Sequence, residues 1–321
     1  MPKVLVTEPL PGDAVEWLSG KYEVTIAQRG TLNSEDDLIR AVPEFDALLT
    51  LLTNPVTAKV LDAAPNLKIV ANCAVGYNNI DIDAAATRQI KVANTPDVLT
   101  DATADLAFGL ILSVTRQMGE SEQYLRAGKF DDWMPKGFLG MELNGSNLGI
   151  VGMGRIGKAL SKRAQAFGMD IGYFNRSRLS QQAEAEAGAT YFPTVDKLAQ
   201  WSDVLSIHCP LNEHSHHLIN KDVLKQLGPN GYLINTARGP VVDEAALAEA
   251  LHDQNIAGAG IDVFEKEPEV HPRLLSAPHA VLLPHIGSAT FKTRSKMVEL
   301  AVSAIDRVFQ GTPEKAHNLV V

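Results

Sequence analysis

Leu148-Gly149-Ile150-Val151-Gly152-Met153-Gly154-Arg155-Ile156-Gly157 decides how this chain is read. A short apolar run enters a G-x-G-x-x-G pattern, and a helical pattern over residues 155–167 follows it. The glycines alone are weak evidence. A strand before them and a helix after them are the context the pattern requires. Gly152 permits the tight turn, Gly154 lets a backbone approach a pyrophosphate, and Gly157 lets the helix pack closely on the strand. Free N–H groups and the dipole at the helix N-terminus favour an anion. The stretch therefore predicts a Rossmann dinucleotide-binding domain.

Working outward, apolar segments at 147–151, 170–174, 204–208, 232–235, 258–262 and 280–283 read as its strands. An earlier series alternates in the same way, with strands at 4–7, 22–27, 47–52 and 68–71 and helices at 13–21, 34–41 and 57–63. Strands alternating with helices imply parallel pairing. Thr100 is placed as the N-cap of one long helix over 100–127, densely apolar and shared with a second subunit in one reading. Residues 128–144, with Trp133, Phe130 and Phe138, read as an extended arm. Exposed aromatics on an arm mark a subunit contact, so a homodimer through 100–127 and 128–144 is expected. The last helix, 290–310, lies outside the second series and is expected to cross back to the first. The expected fold is α/β, with two doubly wound parallel-sheet domains and a cleft between them. Residues 1–99 with 290–321 form a substrate-binding domain, and residues 100–289 the dinucleotide-binding domain.

Bulk properties limit the function. At 321 residues the chain is too long for one compact core. Its net charge of −9, from 29 basic and 38 acidic side chains, argues against non-specific nucleic-acid binding. It leaves room for an anionic substrate held by a few local arginines. Cys73 and Cys209 are read as reduced thiols. The N-terminus lacks a leader pattern and no run reaches the length of a membrane span, so a cytoplasmic protein is expected, with no membrane partner. His214, His216 and His217 cluster without a matching cysteine or carboxylate set, and no metal site is assigned.

The fingerprint calls for an acidic residue about 20 positions on, bonded to the ribose 2′-hydroxyl. Phe174-Asn175-Arg176-Ser177-Arg178 stands there instead. No carboxylate repels a 2′-phosphate, and Asn175, Arg176, Ser177 and Arg178 offer donors for one. NADPH is thus the expected cofactor, preferred over NADH.

Three further segments follow strands of the second series, where open α/β sheets bind ligands. They are Asn235-Thr236-Ala237-Arg238-Gly239-Pro240, Asp262-Val263-Phe264-Glu265-Lys266-Glu267-Pro268 and Leu283-Pro284-His285-Ile286-Gly287-Ser288. With Cys73-Ala74-Val75-Gly76-Tyr77-Asn78-Asn79-Ile80-Asp81, Asn94-Thr95-Pro96-Asp97 and the fingerprint, they make nearly the whole chain resemble the D-isomer-specific 2-hydroxyacid dehydrogenases. The glyoxylate and hydroxypyruvate reductase branch is the most similar.

That resemblance implies reduction of a small 2-keto acid. Arg238 would clamp carboxylate and carbonyl with its planar fork. His285, protonated, would donate to the developing alkoxide, since histidine ordinarily titrates near 6.5. Glu267 would favour and orient the imidazolium. Val75 and Gly76 would hold the acid through backbone N–H groups, facing Arg238 across the cleft. Thr103, Arg155, Ile156, Cys209, Pro210, Thr236, Asp262 and Ser288 would contact the cofactor, with Asp262 on the carboxamide. Alternatives are another 2-hydroxyacid dehydrogenase, a phosphite dehydrogenase (whose pattern has lysine where Val75 stands) or a non-enzymatic NAD(P)H-sensing protein. A phosphoglycerate dehydrogenase of the regulated kind would carry a further C-terminal domain, and this chain ends at Val321.

Overall fold

A computed structural model describes all residues, 1–321. The chain divides into two units, Met1–Leu99 with Ser288–Val321, and Thr100–Gly287.

In the first unit, β1 (Lys3–Val6), β2 (Glu23–Ile26), β3 (Ala47–Thr50), β4 (Ile69–Asn72) and β5 (Lys91–Ala93) form a parallel sheet in the order β2-β1-β3-β4-β5. β3 and β4 are buried at every position, as strands covered on both faces must be. The closing helix Phe291–Phe309 packs on β4 and on the helix Ala14–Ser19. A bridge from Ala93 to Leu319 ties the C-terminal tail to the sheet edge.

The second unit carries β6 (Asn147–Val151), β7 (Asp170–Phe174), β8 (Ala189–Tyr191), β9 (Val204–Ile207), β10 (Tyr232–Asn235), β11 (Gly258–Ile261) and β12 (Ala280–Leu282), all paired in parallel. Their order is β12-β11-β10-β9-β6-β7-β8. The chain turns back at β6, which pairs with both β7 and β9, so the crevice lies beyond the carboxyl ends of β6 and β9. The glycine fingerprint leaves β6 there. One face is covered by an apolar cluster around Leu198, Leu224 and Leu247, the other by a cluster around Leu110, Leu148 and Leu160. Both expected doubly wound sheets are present. The three-residue strands β5 and β8 are absent from the sequence reading.

The single helix expected over 100–127 is two helices, Thr100–Thr115 and Met118–Arg126. Thr100 is the first helical residue, not a cap before it. Gln117 takes the left-handed conformation at φ 49 and breaks the run. A contact from far along the chain accompanies the break. The Thr115 carbonyl accepts the Met141 N–H at 2.9 Å, so the returning arm takes the acceptor the next turn would use. Residues 128–144 contain no helix or strand, and Phe130, Trp133 and Leu139 stand exposed on them. No helix is long and apolar enough to cross a membrane.

Candidate active site

The fingerprint turn shows why glycine is demanded. Gly152 has φ 103, and a Cβ there would lie 2.5 Å from the Cys209 N atom. A Cβ on Gly157 would strike the Gly152 carbonyl. Above Gly154, by contrast, a Cβ would meet nothing within 4 Å. This open space lies at the N-terminus of the helix Arg155–Ala166, where unsatisfied N–H groups point outward. Across the crevice edge, the Thr236 hydroxyl after β10 is buried with no partner. An anion cradle after β6 and an orphaned hydroxyl after β10 fit a dinucleotide. Ile156 packs into the core, and Arg155 opens the helix.

The other expected cofactor positions divide. Cys209 is half-buried beyond β9, its thiol pushed up to about 11 by burial, and Pro210 is exposed next to it. Both cysteines are free. Thr103 is buried and donates to the Gly287 carbonyl at 3.3 Å, and half-buried Ser288 follows at once. Asn175 braces the glycine turn, since its Oδ1 accepts the Met153 N–H at 2.7 Å. Arg178 is already paired in the structure. Its Nε and Nη2 donate to the two Glu184 carboxylate oxygens at 2.7 and 2.8 Å, and its guanidinium lies over Tyr191. A bidentate pair satisfies the planar fork, so Arg178 is committed within the unit. Arg176 and Ser177 stand exposed beside it.

Beyond β10, β11 and β12 the three reactive candidates meet in part. The His285 Nδ1 lies 2.7 Å from the Glu267 Oε2. An ionised carboxylate only accepts, so Nδ1–H donates and Nε2 is left free. Burial raises the Glu267 carboxyl, but the His285 hydrogen bond and charge, the Phe264 N–H and the Arg238 charge together hold it below its ordinary value. Arg238 is half-buried; burial lowers its guanidinium against the pull of Glu267, and Nη1 donates to its neighbour's carbonyl, Ala237 O, at 2.6 Å. Asn235 shapes the turn that presents Arg238: its side chain donates to the Arg238 carbonyl at 3.0 Å and accepts the Ala237 N–H at 3.0 Å.

His285 sits at φ 52, and Asp262 holds it there. The Asp262 carbonyl accepts the His285 N–H at 2.9 Å, Oδ1 accepts Ile286 N–H at 2.7 Å and Oδ2 accepts Gly287 N–H at 2.8 Å. Asp262 is fully buried, and burial raises its carboxyl in spite of these bonds. In this structure it secures the histidine loop and presents no exposed edge to a carboxamide. Sequence reasoning missed Asn235, which looks like an ordinary strand-end polar residue, and this use of Asp262.

Val75 and Gly76 follow β4 in the first unit. Their carbonyls are tied back by Asn94 at 2.7 Å and Asn72 at 2.9 Å, which fixes the course of this turn. Of the remaining histidines, His208 Nε2 lies 2.8 Å from Ser206 Oγ, and burial pulls its ring down to about 4. His216 and His217 stack at 4.1 Å, and His217 Nε2 meets Glu265 Oε1 at 2.9 Å, a carboxylate partner invisible at sequence spacing.

The model of the D-isomer specific 2-hydroxyacid dehydrogenase NAD-binding domain matches residues 108–287. This chain belongs to that family. It is 47% identical over 303 residues to a glyoxylate reductase of Thermococcus litoralis, covering 93% of this chain and 91% of the relative. A Pyrococcus furiosus glyoxylate reductase is 45% identical, with 93% and 90% covered. Among solved structures, an NADPH-dependent glyoxylate/hydroxypyruvate reductase of Sinorhizobium meliloti, in complex with NADP and malonate, superposes with TM-score 0.86 at 38% identity, covering 100% of this chain and 97% of that one. The chain is therefore a 2-hydroxyacid dehydrogenase, an oxidoreductase that uses a nicotinamide cofactor.

Proposed function

We propose that this dehydrogenase reduces glyoxylate and hydroxypyruvate, to glycolate and glycerate, with NADPH preferred over NADH. The observation that carries the reading is the 2.7 Å contact between His285 Nδ1 and Glu267 Oε2, with the charge of Arg238 acting on the same carboxylate. The names borne by its relatives narrow the substrate class to small 2-keto acids.

Arg238 holds the substrate carboxylate and polarises its carbonyl. The N–H groups of Val75 and Gly76 are assigned to the same carboxylate. A bound dihydronicotinamide supplies the hydride that reaches the carbonyl carbon. His285 gives the Nε2 proton to the carbonyl oxygen as charge develops there, while Glu267 holds Nδ1 and stabilises the charged ring. Gly152, Gly154 and Gly157 leave room for the diphosphate at the helix N-terminus. Arg176 and Ser177 hold the 2′-phosphate, while their neighbour Arg178 stays paired with Glu184. A second copy of the chain is proposed to cover the helices over 100–126 and the arm over 128–144, giving a homodimer in the cytoplasm.

Turnover is followed at the reduced-nicotinamide absorbance band with glyoxylate, hydroxypyruvate, pyruvate and, in the reverse sense, phosphite. Glyoxylate and hydroxypyruvate should turn over, with kcat/KM for NADPH roughly tenfold or more above that for NADH. Equal use of the two cofactors removes the NADPH preference. No turnover with any small 2-keto acid removes the enzymatic reading.

A further inference from the structure

Glu244 is a buried carboxylate, 7% exposed, at the first position of the helix Glu244–His252. Burying a carboxylate is costly unless its oxygens find donors. Both do, and both donors are backbone groups of one loop. Oε2 accepts the Glu265 N–H at 2.8 Å and Oε1 accepts the His271 N–H at 2.6 Å. The exchange is reciprocal: Glu265 Oε1 accepts the Glu244 N–H at 2.9 Å and also meets His217 Nε2.

The two points that Glu244 grips lie on either side of Glu267. Between them the Glu269 N–H closes on the Lys266 carbonyl at 2.9 Å. The Phe264 N–H donates to Glu267 Oε1 at 3.0 Å, so only Oε2 is left to face His285. The same loop lies backbone to backbone on the turn that presents Arg238, since a Cβ on Gly239 would run into the Phe264 carbonyl and the Glu265 nitrogen. His217 N–H donates to the Pro240 carbonyl at 2.8 Å and joins that turn to Glu265.

We infer that Glu244 is a positioning residue for the reaction: by pinning both ends of the loop over 265–271 it sets the Glu267 carboxylate on His285. This rests on the reading of His285 as the proton donor. A loop free to shift by an ångström would still fold, but it would present Glu267 out of line.

The test is a kinetic cycle on the full chain with glyoxylate and saturating NADPH. In Glu244→Gln one accepting oxygen becomes an NH2 that opposes a backbone N–H, so one grip is lost. kcat should fall roughly tenfold to a hundredfold, with KM for the keto acid changed less than about twofold. The alkaline limb of the kcat profile should move to lower pH, because the carboxylate that favours the protonated donor is no longer held against it. In a Glu267→Gln background, adding Glu244→Gln should cost nothing more. Glu244→Asp keeps the buried charge but is too short to reach both N–H groups; it should repeat the pattern at smaller size and serves if Glu244→Gln does not fold. An additive double variant, a kcat loss without a moved pH limb, or wild-type kinetics in Glu244→Asp would each overturn the role. Wild-type turnover in Glu267→Gln would instead remove the acid pair itself, and the role of Glu244 with it. Wild-type turnover in Glu244→Gln beside a crippled Glu267→Gln removes the Glu244 role alone.

Discussion

At His285 the backbone takes φ 52, a conformation in which a non-glycine residue stores roughly 1–3 kcal/mol. Histidine tolerates it better than most residues. The three bonds from the loop to Asp262, with the Glu267 contact, over-determine the position. His285→Ala therefore removes the proposed proton donor while the loop stays anchored by Asp262. We expect kcat to fall by about a hundredfold or more, with NADPH affinity within a few-fold of wild type in a fluorescence titration. Lost cofactor binding with full turnover at saturation would contradict the acid role. In the proposed 2′-phosphate site, the pairing of Arg178 with Glu184 leaves Arg176 as the expected main contact. Arg176→Ala should raise KM for NADPH roughly tenfold and leave NADH kinetics unchanged, since one charge-assisted hydrogen bond contributes about 1.5–3 kcal/mol. If Arg178→Ala proves more damaging than Arg176→Ala, that division is wrong. Cys209, with its thiol pushed up to about 11, should alkylate slowly at neutral pH and faster as the pH climbs toward that value. Mass spectrometry after iodoacetamide treatment measures this directly.

Among the elements, the turn from β6 into the helix Arg155–Ala166 serves both folding and binding. Gly152→Ala forces a side chain into φ 103 and against Cys209 N at 2.5 Å. It should cost about 2 kcal/mol or more, seen as a lower thermal midpoint, and weaken NADPH binding in the same protein. A variant as stable and as tightly binding as wild type would show that the turn relaxes freely. The break at Gln117 illustrates the opposite relation, in which a distant contact accompanies the end of an element. Residues 100–127 have the apolar density of one helix, and no local breaker marks position 117. At the break the Thr115 carbonyl accepts the Met141 N–H instead of one from the next turn.

For the whole molecule, stability should fall with acid, and the direction follows from proton counts. His208 is held down to about 4 in the folded chain, from an ordinary 6.5. Between those values the unfolded chain binds a proton that the folded chain does not, so stability is full above about pH 6.5 and is lost as pH falls toward 4. Glu267 and Glu184 are held below their ordinary values and extend the loss below about pH 4.5. Thermal melts across this range should slope downward, and His208→Gln should flatten the upper part. A melt that stays level from pH 6.5 to 4 would contradict this. Leu125, Phe130, Trp133 and Leu139 stand exposed on the helix and arm that we propose a second copy covers. Leu125→Arg with Trp133→Ala should sediment as a monomer where the wild type sediments as a dimer; a wild-type monomer would remove that assignment. The α/β class and the glycine turn are legible in the sequence, because strand-helix periodicity and glycine's missing Cβ are local properties of the chain; Arg238, Glu267 and His285 stand out there only through the resemblance of their segments to the family. The commitment of Arg178 to Glu184, the break at Gln117, the burial of Asp262 beneath the histidine loop and the grip of Glu244 on both sides of Glu267 belong to the tertiary structure alone. Each depends on a hydrogen-bond partner that only folding brings within reach, and nothing in spacing or composition says which donor will claim which acceptor.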